Sequence, residues 1–364
     1  MTSAHLTSAR AATSHALSPA LTDAIAQFRP DAARGYLAVA SIGLATQASV
    51  AAQRADIELW ASGRREPMDY DPIYENTRAH YAKLVGVHPD RVATGSQTSV
   101  MASVFAAAVP DGAEVLCADG DFSSIMFPFL QREGILVRTV PLDELAASVT
   151  DATWLVVFSL AQSATGQIAD LDGIVEAAVR HDAFTVCDLT QAAGVYPADA
   201  SRFDATLCHA YKWLCSPRGV AFMTLSERFQ AVLTPIQAGW YAGEDVWGSC
   251  YGPTMELATT ARRFDVSPVW PAWVGAEPAI ELFSRLDMHE VWAFTVGLGD
   301  RLCDALEIPQ QHQPIVTWAD AEQKDMARLV AAGITVSGRA GRLRASIHLW
   351  NDESDIDAVA TALR

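Results

Sequence analysis

Residues 184–219, FTVCDLTQAAGVYPADASRFDATLCHAYKWLCSPRG, decide how this chain is read. Two runs within them, 184–188 and 204–208, have the length and the apolar, β-branched character of buried strands. Asp188 closes the first run, and Lys212 follows the second. In an open α/β sheet, ligands bind in the crevice outside the carboxyl ends of the strands, so both side chains are expected to face one pocket. An acid and an amine sharing such a pocket suggest a bound cofactor.

Elimination sharpens the lysine. Of 26 basic residues only Lys83, Lys212 and Lys324 are lysines. Lys83 lies in ENTRAHYAKL and Lys324 in AEQKDMARL, amphipathic helical patterns in which a lysine on the polar face is solvated and inert. Lys212 lies in AYKWLCSPRG, an apolar and aromatic setting where desolvation lowers an amine's pKa and leaves more of it nucleophilic. A lysine snorkelling from a strand end explains this residue, taken alone, equally well.

The order Asp188-x-x-Gln191, then Asp204 within a strand, then Tyr211-Lys212 and the Pro217-x-Gly219 turn, resembles the class V aminotransferase family of fold-type I pyridoxal phosphate enzymes. That group includes cysteine desulfurases, kynureninase and isopenicillin N epimerase. The resemblance implies pyridoxal 5'-phosphate as cofactor and a seven-stranded, mainly parallel sheet with a smaller α+β C-terminal domain. It implies that Lys212 forms the Schiff base with the cofactor aldehyde and later shuttles the substrate α-proton. Asp188 would pair with the pyridine nitrogen, where a carboxylate keeps the ring protonated and so a better electron sink. Gln191 would hydrogen-bond the ring's phenolic oxygen.

Short apolar or β-branched runs at 91–94, 114–118, 135–140, 153–159, 184–188, 204–208 and 220–225 alternate with helical stretches such as QTSVMASVFAAAV and DGIVEAAVRH. That alternation by itself predicts an α/β domain. Helices are expected earlier in AAQRADIELWA and DPIYENTRAHYAKLV. Later ones are expected at 276–286, 290–306 and DESDIDAVATAL, with strands in PIVTW, ITVS and LRASIHLW. Residues 235–278, with four tryptophans among glycine and proline, read as a loop-rich connection or subunit contact rather than a regular element. We divide the chain into an N-terminal segment 1–50 packing on the small domain, a large domain 51–255 and a small domain 256–364. Residues 1–20, rich in Ser, Thr and Ala, read as a frayed terminus.

Gly95-Ser96-Gln97-Thr98 joins a strand to a helix start. Free amides and the helix dipole make such a start an anion site, although an ordinary N-cap has the same signature. By likeness to the family's phosphate loop, Ser96, Gln97 and Thr98 would hold the cofactor phosphate, with His209 beside them. Phe122, in DGDFSSIMFP, corresponds to the aromatic residue that stacks on the pyridine, though Phe127 and Phe129 nearby keep a plain core role open. In SLAQSATGQ, Ser163 or Gln162 would lie near the ring oxygen, Ser163 being preferred. LRASIHLWNDESDID resembles the family's C-terminal pattern and makes Arg344 the residue that grips the substrate α-carboxylate, with Arg342 and Arg339 as rivals.

The net charge of −17 argues against nucleic acid, which requires a basic face. No window has the apolar length of a membrane span, and no metal motif occurs. The six cysteines contain no C-x-x-C pair and fit a reducing cytoplasm. An aminotransferase acting on a small-molecule amino acid is the leading expectation. A carbon-sulfur or carbon-carbon lyase, or an epimerase, is the alternative, and a non-catalytic cofactor-binding scaffold is the reading of another class. Desulfurases carry a reactive cysteine shortly before the substrate arginine; here none follows Cys303, so only Cys250 in WGSCYG could substitute. The resemblance also implies a homodimer, for which residues 240–251 are the candidate contact.

Overall fold

The computed structural model describes residues 16–28, 31–339 and 341–364, so Met1–His15 of the expected frayed terminus lies outside the described residues. Seven strands form the main sheet: β1 (Val92–Gly95), β2 (Glu114–Ala118), β3 (Leu136–Val140), β4 (Thr153–Ser159), β5 (Phe184–Asp188), β6 (Ala205–His209) and β7 (Ala221–Leu225). Their spatial order is β1-β7-β6-β5-β4-β2-β3. Only β7 runs against its neighbours, so the other six all end at one edge of the sheet. That edge collects Gly95, Asp188 and His209.

All the strands except the edge strand β3, whose Leu136 and Thr139 are exposed, are buried on both faces, as near-continuous apolar runs require. Along β4, Leu155 and Val157 enter one core while Val156 and Phe158 enter the other, the alternation of a strand between two helical layers. The helices are α1 (Pro19–Ala26), α2 (Gln47–Ala61), α3 (Tyr70–Leu84), α4 (Thr98–Ala108), α5 (Ser123–Leu130), α6 (Leu171–Arg180), α7 (Glu227–Gln230), α8 (Trp270–Phe283), α9 (Met288–Ala305), α10 (Lys324–Ala331) and α11 (Glu353–Leu363). A second, antiparallel sheet of β8 (Ile315–Ala319), β10 (Arg342–Ser346) and β9 (Ser337–Arg339) packs with α9, α10 and α11 around a third core that includes Leu302, Val316, Leu343 and Ile356. Among the described residues no helix is long and apolar enough to cross a membrane.

The structure corrects three expectations. Residues 270–278 are helical, not loop: Pro271 sits in the first turn of α8, where its missing N–H costs nothing. α8 also packs on α2 and α3, on the large-domain side of the boundary drawn at 255/256. The strand expected over LRASIHLW stops at Ser346, because the amide of His348 turns to the Asn351 side chain. The segment before α2 reaches across to the small sheet, where Tyr36 bridges Thr335 and Ala38 bridges Ser346.

Candidate active site

Asp188 ends β5 and is almost fully buried. Burial raises its pKa, while bonds from Thr190, whose amide donates to Oδ1 at 2.8 Å, and the charge of Lys212 pull it back. Lys212 is 5% exposed, and burial lowers its amine to about 8, against the attraction of Asp188 and with the help of Arg344 and Arg339. Its Nζ lies 5.4 Å from the centre of the Phe122 ring. Phe122 is itself 41% exposed, unlike Phe129 in the core.

The Lys212 backbone is held by close packing. Its carbonyl accepts from the Cys215 amide at 2.9 Å, and Cys215 adopts a left-handed φ of 52°. The loop ahead of α2 crosses this turn at Gly43, whose amide donates to the Tyr211 carbonyl at 2.9 Å. A Cβ on Gly43 would lie 2.0 Å from the Lys212 oxygen, so glycine is required by approach distance.

The sequence places Ser163, Gln191 and Arg344 far apart; the fold joins them. Gln191 Nε2 donates to Ser163 Oγ at 2.9 Å and to the Ala40 carbonyl at 3.0 Å, and its Oε1 accepts from Trp213 Nε1 at 2.7 Å. Both amide hydrogens are thus in use, and the role expected toward a ring oxygen requires the Ser163 bond to be exchanged. Arg344 is buried, with Nε on Ser337 Oγ at 3.0 Å, Nη1 on Ser163 Oγ at 3.1 Å and on the Ser163 carbonyl, and Nη2 on Ser41 Oγ at 2.9 Å. Burial lowers its pKa to about 10, as does Arg339. Gln162, the rival of Ser163, is turned to the Asp119 carbonyl at 2.7 Å, and Arg342 is tied to Thr317 on β8.

At the other end, Gln97 precedes α4 without a side-chain cap, so the first amides of a helix of 11 residues have no side-chain acceptor. Ser96 is half-buried, Gln97 exposed and Thr98 buried. His209 ends β6, on which α4 packs; burial, then Arg218 and Lys212, lower its pKa to about 4. Its Nε2 is buried without a hydrogen-bond partner. An uncapped helix start and a neutral imidazole with an unused nitrogen suit a phosphate, and the exposed Phe122 suits a flat ring.

Several supporting residues escaped sequence reading. Asp265 and Arg78 form a buried pair at 2.5 Å, and Asp265 also accepts from the Thr94 amide at 2.8 Å, fixing the end of β1. Asp121, buried on the Ser159 amide at 2.8 Å, is raised to about 6 by burial. Arg218 lies over the Tyr211 ring at 5.0 Å. None belongs to a local motif; only proximity in space singles them out.

The family model of Aminotransferase class-V matches residues 64–335. The chain belongs to that family. Its members use pyridoxal 5'-phosphate, and the residues described above fit that group. Among curated relatives, a kynureninase of Deinococcus radiodurans is 26% identical over 76% of this chain and 74% of its own length. An isopenicillin N epimerase of Streptomyces clavuligerus is 29% identical over 82% and 87%. Among solved structures, the cystine C-S lyase C-DES in complex with its reaction product cysteine persulfide superimposes with a TM-score of 0.82, at 20% identity over 93% of this chain and 99% of that one. The cysteine desulfurase CsdA of Escherichia coli gives 0.81, at 20% identity over 94% and 97%. At that identity the likeness is one of fold.

Proposed function

We propose that this chain is a pyridoxal 5'-phosphate-dependent lyase that cleaves a carbon-sulfur or carbon-carbon bond in the side chain of an α-amino acid. The observation that supports it most is a buried Lys212 whose amine feels the charge of Asp188 and lies 5.4 Å from the Phe122 ring centre, with a buried guanidinium at Arg344 able to take a carboxylate. Bound, the cofactor supplies an electron sink for charge released at the substrate Cα. Arg344 holds the α-carboxylate and so fixes which Cα bond is broken. Lys212, partly neutral near pH 8, takes the α-proton and can return it to the departing group. Asp188 would hold a proton at the ring nitrogen, Phe122 would pack against the ring, and the start of α4 with His209 would hold the phosphate.

The choice of a lyase over the aminotransferase ranked first from sequence rests on the similarity to a kynureninase and on the fold shared with a C-S lyase. Cys250 is half-buried with its thiol turned to the Val246 carbonyl at 3.9 Å, which gives a desulfurase mechanism little support. Five of six free cysteines are buried, in keeping with a reducing cytoplasm. A homodimer is part of this reading.

Two measurements test it. Borohydride reduction of the loaded protein is expected to label Lys212, and amino acids are expected to change the visible absorption and to release either ammonia with a keto acid, on carbon-sulfur elimination, or a shortened amino acid, on carbon-carbon cleavage. A keto acid without ammonia would make the enzyme an aminotransferase, and an unlabelled Lys212 would end the assignment. Labelling at Lys212 with no response to any amino acid would favour the scaffold.

A further inference from the structure

In a chain of net charge −17, three guanidiniums bear on one phenol at the site. Arg218, Arg339 and Arg344 all act on Tyr211. None of them takes part in an ion pair among the described residues. Arg218 lies by His209, where a phosphate accounts for it. Arg344 is accounted for by the α-carboxylate. Arg339 has no such assignment.

Arg339 ends β9. Its Nη1 donates to the Gly338 carbonyl at 2.7 Å, and its Nη2 reaches Ser41 Oγ at 3.4 Å, the same oxygen that Arg344 Nη2 reaches at 2.9 Å. Two cations thus meet on one hydroxyl, a repulsion that water eases at the exposed Arg339 and that an anion between them would relieve further. The Ser41 oxygen accepts from both guanidiniums, which leaves its own hydrogen to donate. Two guanidinium edges and a hydroxyl converge as donors, the coordination that carboxylates receive from arginine forks. One carboxylate accounts for Arg344; the exposed Arg339 is free to take a second.

Building on the amino-acid chemistry proposed above, we infer that Arg339 selects substrates whose side chain carries a second carboxylate, with Arg344 on the α-carboxylate and Arg339 on the distal one. The substrate class is therefore α-amino acids that carry a second carboxylate beyond the bond to be broken, for which the simple acidic amino acids serve as binding probes. Arg339 is a specificity residue and takes no part in proton transfer.

The test uses the loaded enzyme and its Arg339→Gln variant. The probes are L-aspartate and L-glutamate, their neutral counterparts L-asparagine and L-glutamine, and the non-reacting pair glutarate and butyrate. Amino-acid binding is followed by visible absorption and the non-reacting acids by calorimetry. The parent is expected to prefer each acid over its neutral partner by roughly tenfold or more, as an added charge-assisted hydrogen bond implies, and Arg339→Gln to remove most of that preference. Arg339→Lys, which keeps the charge without the fork, should restore part of it. Equal binding of acid and amide by the parent would overturn the inference. So would an Arg339→Gln variant that weakens both partners equally, since Arg339 would then serve the α-carboxylate, or one that leaves the preference intact. These results differ from failure of the underlying reading, in which Lys212 is not labelled by borohydride and no amino acid of either kind is bound.

Discussion

The amine of Lys212 takes its character from burial. At about 8 instead of 10.5, it is protonated and unreactive below pH 8 and mostly neutral above it. Loading of the cofactor-free protein with pyridoxal 5'-phosphate should therefore speed up as pH rises through 8 and level off above it, read as the growth rate of visible absorption. A rate still climbing steeply at pH 10 would show that Lys212 is solvated after all. His209 is shifted in the same sense: lowered to about 4 by burial, it is neutral across this range and adds no titration of its own. The residues around Gln191 have a structural task as well, since Trp213 and Ala40 hold its amide from two directions.

Among the elements, β1 and the loop after it depend on a contact that neither contains. Asp265 binds Arg78 of α3 and the Thr94 amide together, all three buried, so the loop after β1 hangs on an ion pair closed across 187 residues. Removing Asp265 leaves the buried Arg78 with only the half-exposed carboxylate of Glu75, at 3.0 Å, and takes the acceptor away from the Thr94 amide. Asp265→Ala should cost about 3–5 kcal/mol in urea denaturation, whereas a double variant with Arg78→Met should recover part of that loss because no charge is stranded. An unchanged single variant would refute the role given to the pair. The C-terminal pattern around His348 is likewise a fastener: Ser346 Oγ accepts from the Ala40 amide at 2.9 Å, His348 Nε2 donates to the Trp213 carbonyl at 2.9 Å, and Asn351 Nδ2 donates to the Tyr36 carbonyl at 3.0 Å. Together they clamp the N-terminal segment and the lysine turn to the small domain.

For the molecule as a whole, the acidic surface opposes self-association, so a dimer must rest on apolar contact. Trp60 on α2 is 70% exposed and Tyr251 is 92% exposed. The aromatic segment 240–251 is otherwise anchored on its own chain, through Tyr241 at 3.1 Å and Trp247 at 2.6 Å to Asp71. Sedimentation is expected to give twice the chain mass, and Tyr251→Arg to shift it toward the monomer. A fully active monomer would remove the dimer from the proposal.

The strands other than the edge strand β3 were legible because each is a short local run whose burial on both faces leaves no polar alternation to confuse it, and Asp188, Lys212 and the start of α4 stood at ends that such runs define. α8 was not fully legible, since Pro271 and Pro278 argue against a helix locally while packing on α2 and α3 favours one. The amino-acid order alone determined the sheet, the family likeness, the lysine and its acid. What only the tertiary structure decided is the company these residues keep: Arg344 meets Ser41 across 303 positions and Ser163 across 181, and Arg339 meets Ser41 across 298. Hydrogen bonds and desolvation act over a few ångströms of space, and no spacing along the chain encodes which distant residue the fold brings within that reach.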